Sequence, residues 1–143
     1  MKRMGLLILV LMVFVGISCQ KQLNSPLSAP NDLLNKEWRL TDWSASSLHP
    51  ADFMITANFD KDTIFGKSAV NQYNGPYTLS SNSGISMGML AMTMMAGSED
   101  EMRAEQIFHE LLTQVVEYEI NPSSLRLLDK NNNELLIFAY LHK

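Results

Sequence analysis

The stretch Asn71-Gln72-Tyr73-Asn74-Gly75-Pro76-Tyr77 opens a run that closes on Met87-Gly88-Met89-Leu90-Ala91-Met92-Thr93-Met94-Met95. Its first half reads as a turn: Asn74-Gly75-Pro76 joins residues that tolerate positive φ to one whose φ is fixed. Polar Asn71 and amphipathic Tyr73 and Tyr77 surround that turn. The second half is dense in thioethers and predicts further short strands around Ile85 and between Leu90 and Met94.

Upstream of this stretch, Trp38 and Leu40 alternate with Arg39 and Thr41, the period-two pattern of a first strand with Trp38 in the core. Phe53, Ile55, Ala57 and Phe59 share one side of a second alternating run, and a turn at Asp60-Lys61-Asp62 leads into Thr63-Ile64-Phe65 and Gly66. Beyond the methionines, Ser98-Glu99-Asp100-Glu101 is a capping box. The helix it starts carries Met102, Glu105, Phe108, Leu111 and Leu112 at three- and four-residue spacing, an apolar stripe that must lie against a sheet. The β-branched pair Val115-Val116 ends that helix near Thr113, and two closing strands flank the turn Asp129-Lys130-Asn131-Asn132-Asn133. About eight short strands and one helix predict a mainly antiparallel α+β domain or a small, partly open barrel with the helix packed against it.

Residues 1–18 read as an export signal, with Lys2 and Arg3 before a short apolar run that is too brief for a permanent span, which takes about 20 residues. Two processing readings meet at its end. Gly16 and Ser18 suit a plain small-x-small cleavage site, while Cys19, the sole cysteine, suits a lipobox. Residues 19–30 are polar, contain two prolines and have no periodicity, the composition of a tether, which favours lipidation of Cys19. The expected protein is exported and lipid-anchored to a bacterial envelope, with residues 31–143 as the single folded domain. Without Lys2 and Arg3 the chain keeps nine Lys and Arg against fifteen Asp and Glu, a net charge of −6. That balance excludes nucleic acid as a partner.

The sequence carries no recognised catalytic motif. No G-x-S-x-G, H-E-x-x-H or phosphate loop is present, and His49, His109 and His142 are scattered, with His109 beside Glu110 reading as a surface helix pair. Asp60-x-Asp62 fails the calcium-loop template, whose glycine and glutamate positions here hold Phe65 and Asn71. Met87-x-Met89 and Met92-x-Met94 offer soft ligands to Cu(I), but no histidine or cysteine stands near them in sequence, so the methionines are expected to pack. No catalytic residue, cofactor or metal is expected.

The chain resembles the META-domain, HslJ-like family of bacterial envelope proteins in a fixed order of motifs. Trp38 and Leu40 match its opening strand, and Asn71, Tyr73, Gly75 and Tyr77 match its N-x-Y-x-G-x-Y centre. Thr93-x-Met95-Ala96 matches its T-x-M-A segment, and Glu105 and Phe108 fall in its helix. The resemblance implies a lipocalin-like barrel, a stress-related role in the envelope and no catalytic activity. It also implies a cysteine pair at positions that here hold Val70 and Gly97, so packing, with the nearby methionines as candidates, is expected to hold that corner. Two functions follow as expectations: an interaction or assembly lipoprotein with an envelope protein partner, or a carrier of a small apolar ligand or lipid in a Met-lined barrel.

Overall fold

The computed structural model describes residues 29–45 and 47–141. Cys19, the export signal, most of the tether and His142 lie outside these residues. Nine strands and one α-helix follow in chain order: β1 (Glu37–Trp43), β2 (Thr56–Phe59), β3 (Thr63–Lys67), β4 (Gln72–Ser80), β5 (Gly84–Met87), β6 (Ala91–Met92), α1 (Glu99–Leu112), β7 (Glu117–Ile120), β8 (Ser124–Leu128) and β9 (Glu134–Tyr140). A single 3-10 turn at Pro50–Asp52 interrupts the first connection.

Eight of the strands close into an antiparallel barrel. The order runs β3-β2-β1-β9-β8-β7-β5-β4, and β4 returns to β3 through five pairs from Thr63↔Pro76 to Lys67↔Gln72. The expected barrel is therefore present, and it is closed rather than partly open. Its thinnest seam lies between β5 and β7, where Gly84↔Glu117 is the one ladder pair. Two flanking bonds reinforce the seam, Ile85 N–H to the Val116 carbonyl at 2.9 Å and Tyr118 N–H to the Ser83 carbonyl at 3.0 Å.

The predicted turn at Asn74-Gly75-Pro76 is instead the middle of the longest strand. Along β4 burial alternates without a break: Tyr73, Gly75, Tyr77 and Leu79 face inward and the residues between them face out. Gly75 serves by its size rather than its φ, for no glycine among the described residues has positive φ. A Cβ there would stand 2.7 Å from both the Met89 carbonyl oxygen and Leu90 Cδ2. Pro76 lacks a ladder donor, and the strand opposite it is broken at that level, which is where a sheet tolerates proline. Met87↔Tyr77 and Met92↔Tyr73 lie on the same edge of β4 but differ in register by one residue, so β5 and β6 are one strand interrupted at residues 88–90. The hairpin turn that the sequence does contain comes later, where Asn82 and Ser83 take φ of 62° and 61° between β4 and β5.

The interior is filled. Trp38, Phe59, Tyr73, Phe108, Leu136 and Phe138 are among the side chains fully or almost fully withdrawn from solvent. Ile55, Ala57 and Phe59 are buried as the alternation predicts, whereas Phe53 follows the 3-10 turn and only leans on the core. The capping box at Ser98 and Glu101 is formed, and Thr113 caps the far end of α1 as the sequence requires. Ala104, Phe108 and Leu112 bury one face of the helix against the barrel. No helix among the described residues is long and apolar enough to cross a bilayer.

Candidate functional site

Glu105 sits at an apolar-stripe position of α1, is only 5% exposed, and is surrounded by donors. Its Oε2 accepts from the backbone N–H groups of Asn71 at 2.8 Å and Val70 at 3.2 Å, and the Ser68 hydroxyl donates to the same oxygen. Oε1 accepts from Asn71 Nδ2 at 2.7 Å. Burial by itself pushes this carboxyl up, but the hydrogen bonds from Ser68, Asn71 and Val70 outweigh it and hold Glu105 below the usual carboxylate range. An ionised carboxylate is thus kept inside the protein by donors alone, with no cation beside it among the described residues' ion pairs.

Asn71 carries the network onward. Its Oδ1 accepts from Thr93 Oγ1 at 2.8 Å and from Met95 N–H at 2.7 Å, and Nδ2 donates its second hydrogen to the Met95 carbonyl at 3.2 Å. All four hydrogen-bonding positions of the amide are occupied. Thr93 Oγ1 in turn accepts from Gln72 N–H at 3.1 Å. Asn71 is therefore joined in one cluster to Thr93 and Met95, 22 and 24 positions along the chain, and Glu105 completes it.

The remaining signature residues are placed elsewhere. Tyr73 packs its ring on Phe108 and His109 and donates its hydroxyl to the Thr56 carbonyl at 2.9 Å. Tyr77 lies farther along β4, in edge contact with Phe59, and donates to the Asp60 carbonyl at 2.7 Å. Burial raises the Tyr73 phenol far above its ordinary value, and burial with Asp62, Tyr118 and Asp60 pushes Tyr77 up to about 12. Both stay protonated at neutral pH and act as structural donors. Trp38 is on the far side, donating Nε1 to the Leu33 carbonyl at 3.4 Å with Lys36 over its ring.

The methionines are outside the barrel. Met94 is 98% exposed and Met89 92%, while Met92 and Met102 are 40% and 41% exposed and Met87 alone packs partly against the core. The run thus fills no interior cavity. A groove runs instead between β6 and the first turns of α1. One part, a cleft of about 480 Å³, is lined by Asn71, Met92, Thr93, Met94, Met95, Ala96, Met102 and Glu105. The adjoining part, about 490 Å³, shares Met92, Met102 and Glu105 and adds Glu99, Arg103, Gln106 and His109. Hydrogen bonds hold this corner, and a methionine makes one of them: Gly97 N–H donates to Met102 Sδ at 3.4 Å, while the floor of the groove is the Asn71–Glu105 cluster. Val70 Cγ2 fills the space beside Gly97, 2.5 Å from where a Cβ on that glycine would stand.

His109 is not the surface partner of Glu110 that its sequence suggested. Glu110 accepts from Gln106 at 2.8 Å, while the His109 ring contacts Phe108 and Tyr73 and its Nε2 is buried with no hydrogen-bond partner. Burial lowers its pKa, with Glu105 opposing the shift, so the ring is neutral near pH 7. Among the described residues no group of three or more His, Cys, Asp or Glu is arranged to hold a metal. The sequence pattern places Glu105 within an apolar stripe and does not mark it as part of a site. A lone carboxylate at a position whose neighbours at three and four residues are apolar was the available signal.

The META domain matches residues 31–140 of the chain. A Burkholderia xenovorans protein solved by NMR has a similar fold, with a TM-score of 0.62 and 24% identity over 86% of this chain and 99% of that one. A DUF4847-family protein from Bacteroides vulgatus is similar with a TM-score of 0.56 and 13% identity, over 78% of this chain and 96% of its own. Another protein solved by NMR gives a TM-score of 0.58 at 19% identity, over 79% and 95%. No characterised protein in the curated comparison matches the chain.

Proposed function

The chain belongs to the META-domain family, and from that premise we propose that it binds a small apolar molecule or lipid chain in the groove between β6 and α1. The observation that carries this reading is the exposure of methionine on that one face, above a barrel whose own interior is filled. Thioether side chains are flexible and polarizable, so a surface made of them adapts to varied apolar shapes. The polar cluster beneath supplies the rigid floor such a site requires, since Asn71 and Glu105 have their hydrogen bonds satisfied and do not compete for ligand. The Met-lined site therefore moves from inside the barrel to its outer face.

Around this activity we place the rest of the reading: an HslJ-like envelope protein, lipidated at Cys19, presenting the domain on the 19–30 tether with a role in envelope stress. A protein partner is the second reading, supported by β6, which pairs with β4 alone and ends the strand order, leaving its other edge without a strand among the described residues. Titration with the neutral fluorophore N-phenyl-1-naphthylamine tests the first. Binding that drops at least tenfold in Met92→Glu and Met94→Glu supports the groove, and binding indifferent to both substitutions overturns it. Crosslinking in the intact envelope tests the second, with recovery of a protein bridged to β6 as the supporting result.

A further inference from the structure

Seven methionines fall among the described residues, and none of them is in the fully buried core. Four of the seven, Met92, Met94, Met95 and Met102, line the groove. The distribution matters because the chemistry of a thioether depends on where it sits. A buried methionine oxidised to its sulfoxide disrupts the core around it, whereas an exposed one only changes the polarity of its surface.

We propose that these four thioethers are a sulfoxidation site that switches the groove from apolar to polar while the barrel stays folded. With a hydroperoxide as oxidant, the terminal oxygen passes to sulfur. An S–O bond forms, the O–O bond breaks, sulfur gives up two electrons, and hydrogen peroxide leaves as water. A dithiol-dependent reductase reverses the step: the sulfoxide oxygen leaves as water and the two thiols become a disulfide. The fold uses one of the four sulfurs, at an exposed bond from Gly97 N–H to Met102 Sδ at 3.4 Å, and there a sulfoxide oxygen can accept in its place. Met95, the groove methionine nearest the Asn71 cluster, bonds to it through its backbone N–H and carbonyl and leaves its side chain free. Phe108 of α1 packs on the Tyr73 ring, and the buried core of the described residues contains no sulfur.

The inference rests on the groove as the ligand site, and the following experiment separates the two. The full chain is treated with graded hydrogen peroxide, each methionine is followed by peptide mass spectrometry, and N-phenyl-1-naphthylamine binding and thermal unfolding are measured on the same samples. The expected result is oxidation of the four groove residues ahead of Met87, a fall of at least tenfold in probe binding, and an unfolding midpoint within 2–3 °C of the start, about the shift that a change under 1 kcal/mol produces. Methionine sulfoxide reductase with dithiothreitol restores binding. A quadruple Leu variant of the four keeps its binding after peroxide, although Met54 and Met89 are still oxidised. Full groove oxidation with unchanged binding overturns the switch, as does unfolding in step with oxidation. If the untreated protein binds no probe, the ligand reading fails, and a groove that oxidises no faster than Met87 overturns the sulfoxidation site on its own.

Discussion

Asn71 Nδ2 donates to Glu105 Oε1 at 2.7 Å while the backbone N–H of the same asparagine donates to Glu105 Oε2 at 2.8 Å. The pair is a two-point clamp between the entry to β4 and the middle of α1, made by residues 34 positions apart. Because Asn71 also holds Met95 by both its N–H and its carbonyl, the clamp fixes the helix, the strand and the methionine segment together. The signature asparagine is a joint, and the groove takes its shape from it.

Replacing Asn71 with Asp removes both Nδ2 donors and sets a second carboxylate against Glu105. The donors' loss leaves the Met95 carbonyl and one carboxylate oxygen unpaired, at about 1–3 kcal/mol for each buried group. Like charges add to this at neutral pH. Asn71→Asp should therefore unfold at lower urea than the parent, with a smaller deficit at pH 4 than at pH 7 because protonating one carboxyl relieves the repulsion. An equal deficit at both pH values would remove the charge component.

Acid should weaken the fold in two windows. Glu105 is held below its unfolded value, so its contribution is complete above the unfolded pKa of about 4.3 and is lost as pH falls through the lower folded value. His109 is also depressed, by burial, so the unfolded chain takes up a proton first and stability declines as pH drops below about 6.5. Urea midpoints measured from pH 8 to pH 3 should show both slopes. Glu105→Gln should flatten the lower one and His109→Phe the upper.

Much of the fold was legible because period-two alternation and the capping box are local. Trp38, Leu40, Ile55, Phe59 and Ser98 announce their roles through their neighbours alone. Asn74-Gly75-Pro76 misled for a physical reason: the same three residues serve a turn through φ and a strand through size and a missing donor. Only the pairing of Tyr73, Gly75 and Tyr77 on one buried face, with the break at residues 88–90 beside Pro76, decides between them. The site was less legible still. Glu105 meets Ser68 and Asn71, and His109 meets Tyr73, through tertiary contacts that no local pattern records.

Gly75→Ala tests the strand reading. Its Cβ would meet the Met89 carbonyl and Leu90 at 2.7 Å, and a backbone atom cannot step aside as a side-chain end can. Overpacking of this kind costs about 1–3 kcal/mol. The substitution should lower the unfolding midpoint and weaken probe binding as the 88–90 segment is displaced toward β6. A turn needing positive φ at Gly75 would also destabilise, so proton–deuterium exchange decides: slow exchange at Phe65, Tyr73 and Tyr77 in the parent protein fits a ladder.

Lipidation is tested at one residue. With Cys19 replaced by Ala, the protein should appear in the soluble fraction, and the wild type should partition with membranes and carry acyl mass on its N-terminal peptide. A Cys19→Ala protein that stays with the membrane would show that another segment anchors it.

The corner between Val70 and Gly97 offers a sharper test of the family relationship. Resemblance implied a cysteine pair at these two positions, and the structure sets Val70 Cγ2 2.5 Å from where a Cβ on Gly97 would lie. Val70 Cβ lies one C–C bond from that methyl, so the two Cβ atoms stand no more than about 4 Å apart, under the upper limit of the 3.5–4.5 Å that a disulfide bridges. Closing the 70–97 loop restricts the unfolded chain, a gain of about 2–4 kcal/mol where native geometry is undisturbed. Val70→Cys with Gly97→Cys, made in a Cys19→Ala background to avoid mispairing, should oxidise spontaneously, lose two hydrogens in mass and unfold at higher urea only when oxidised. Reduction should return it below the parent, because the packing of Val70 is then lost with nothing in its place. Failure to crosslink, or a crosslink that lowers the midpoint, would mean that the corner does not hold the geometry the family pair requires.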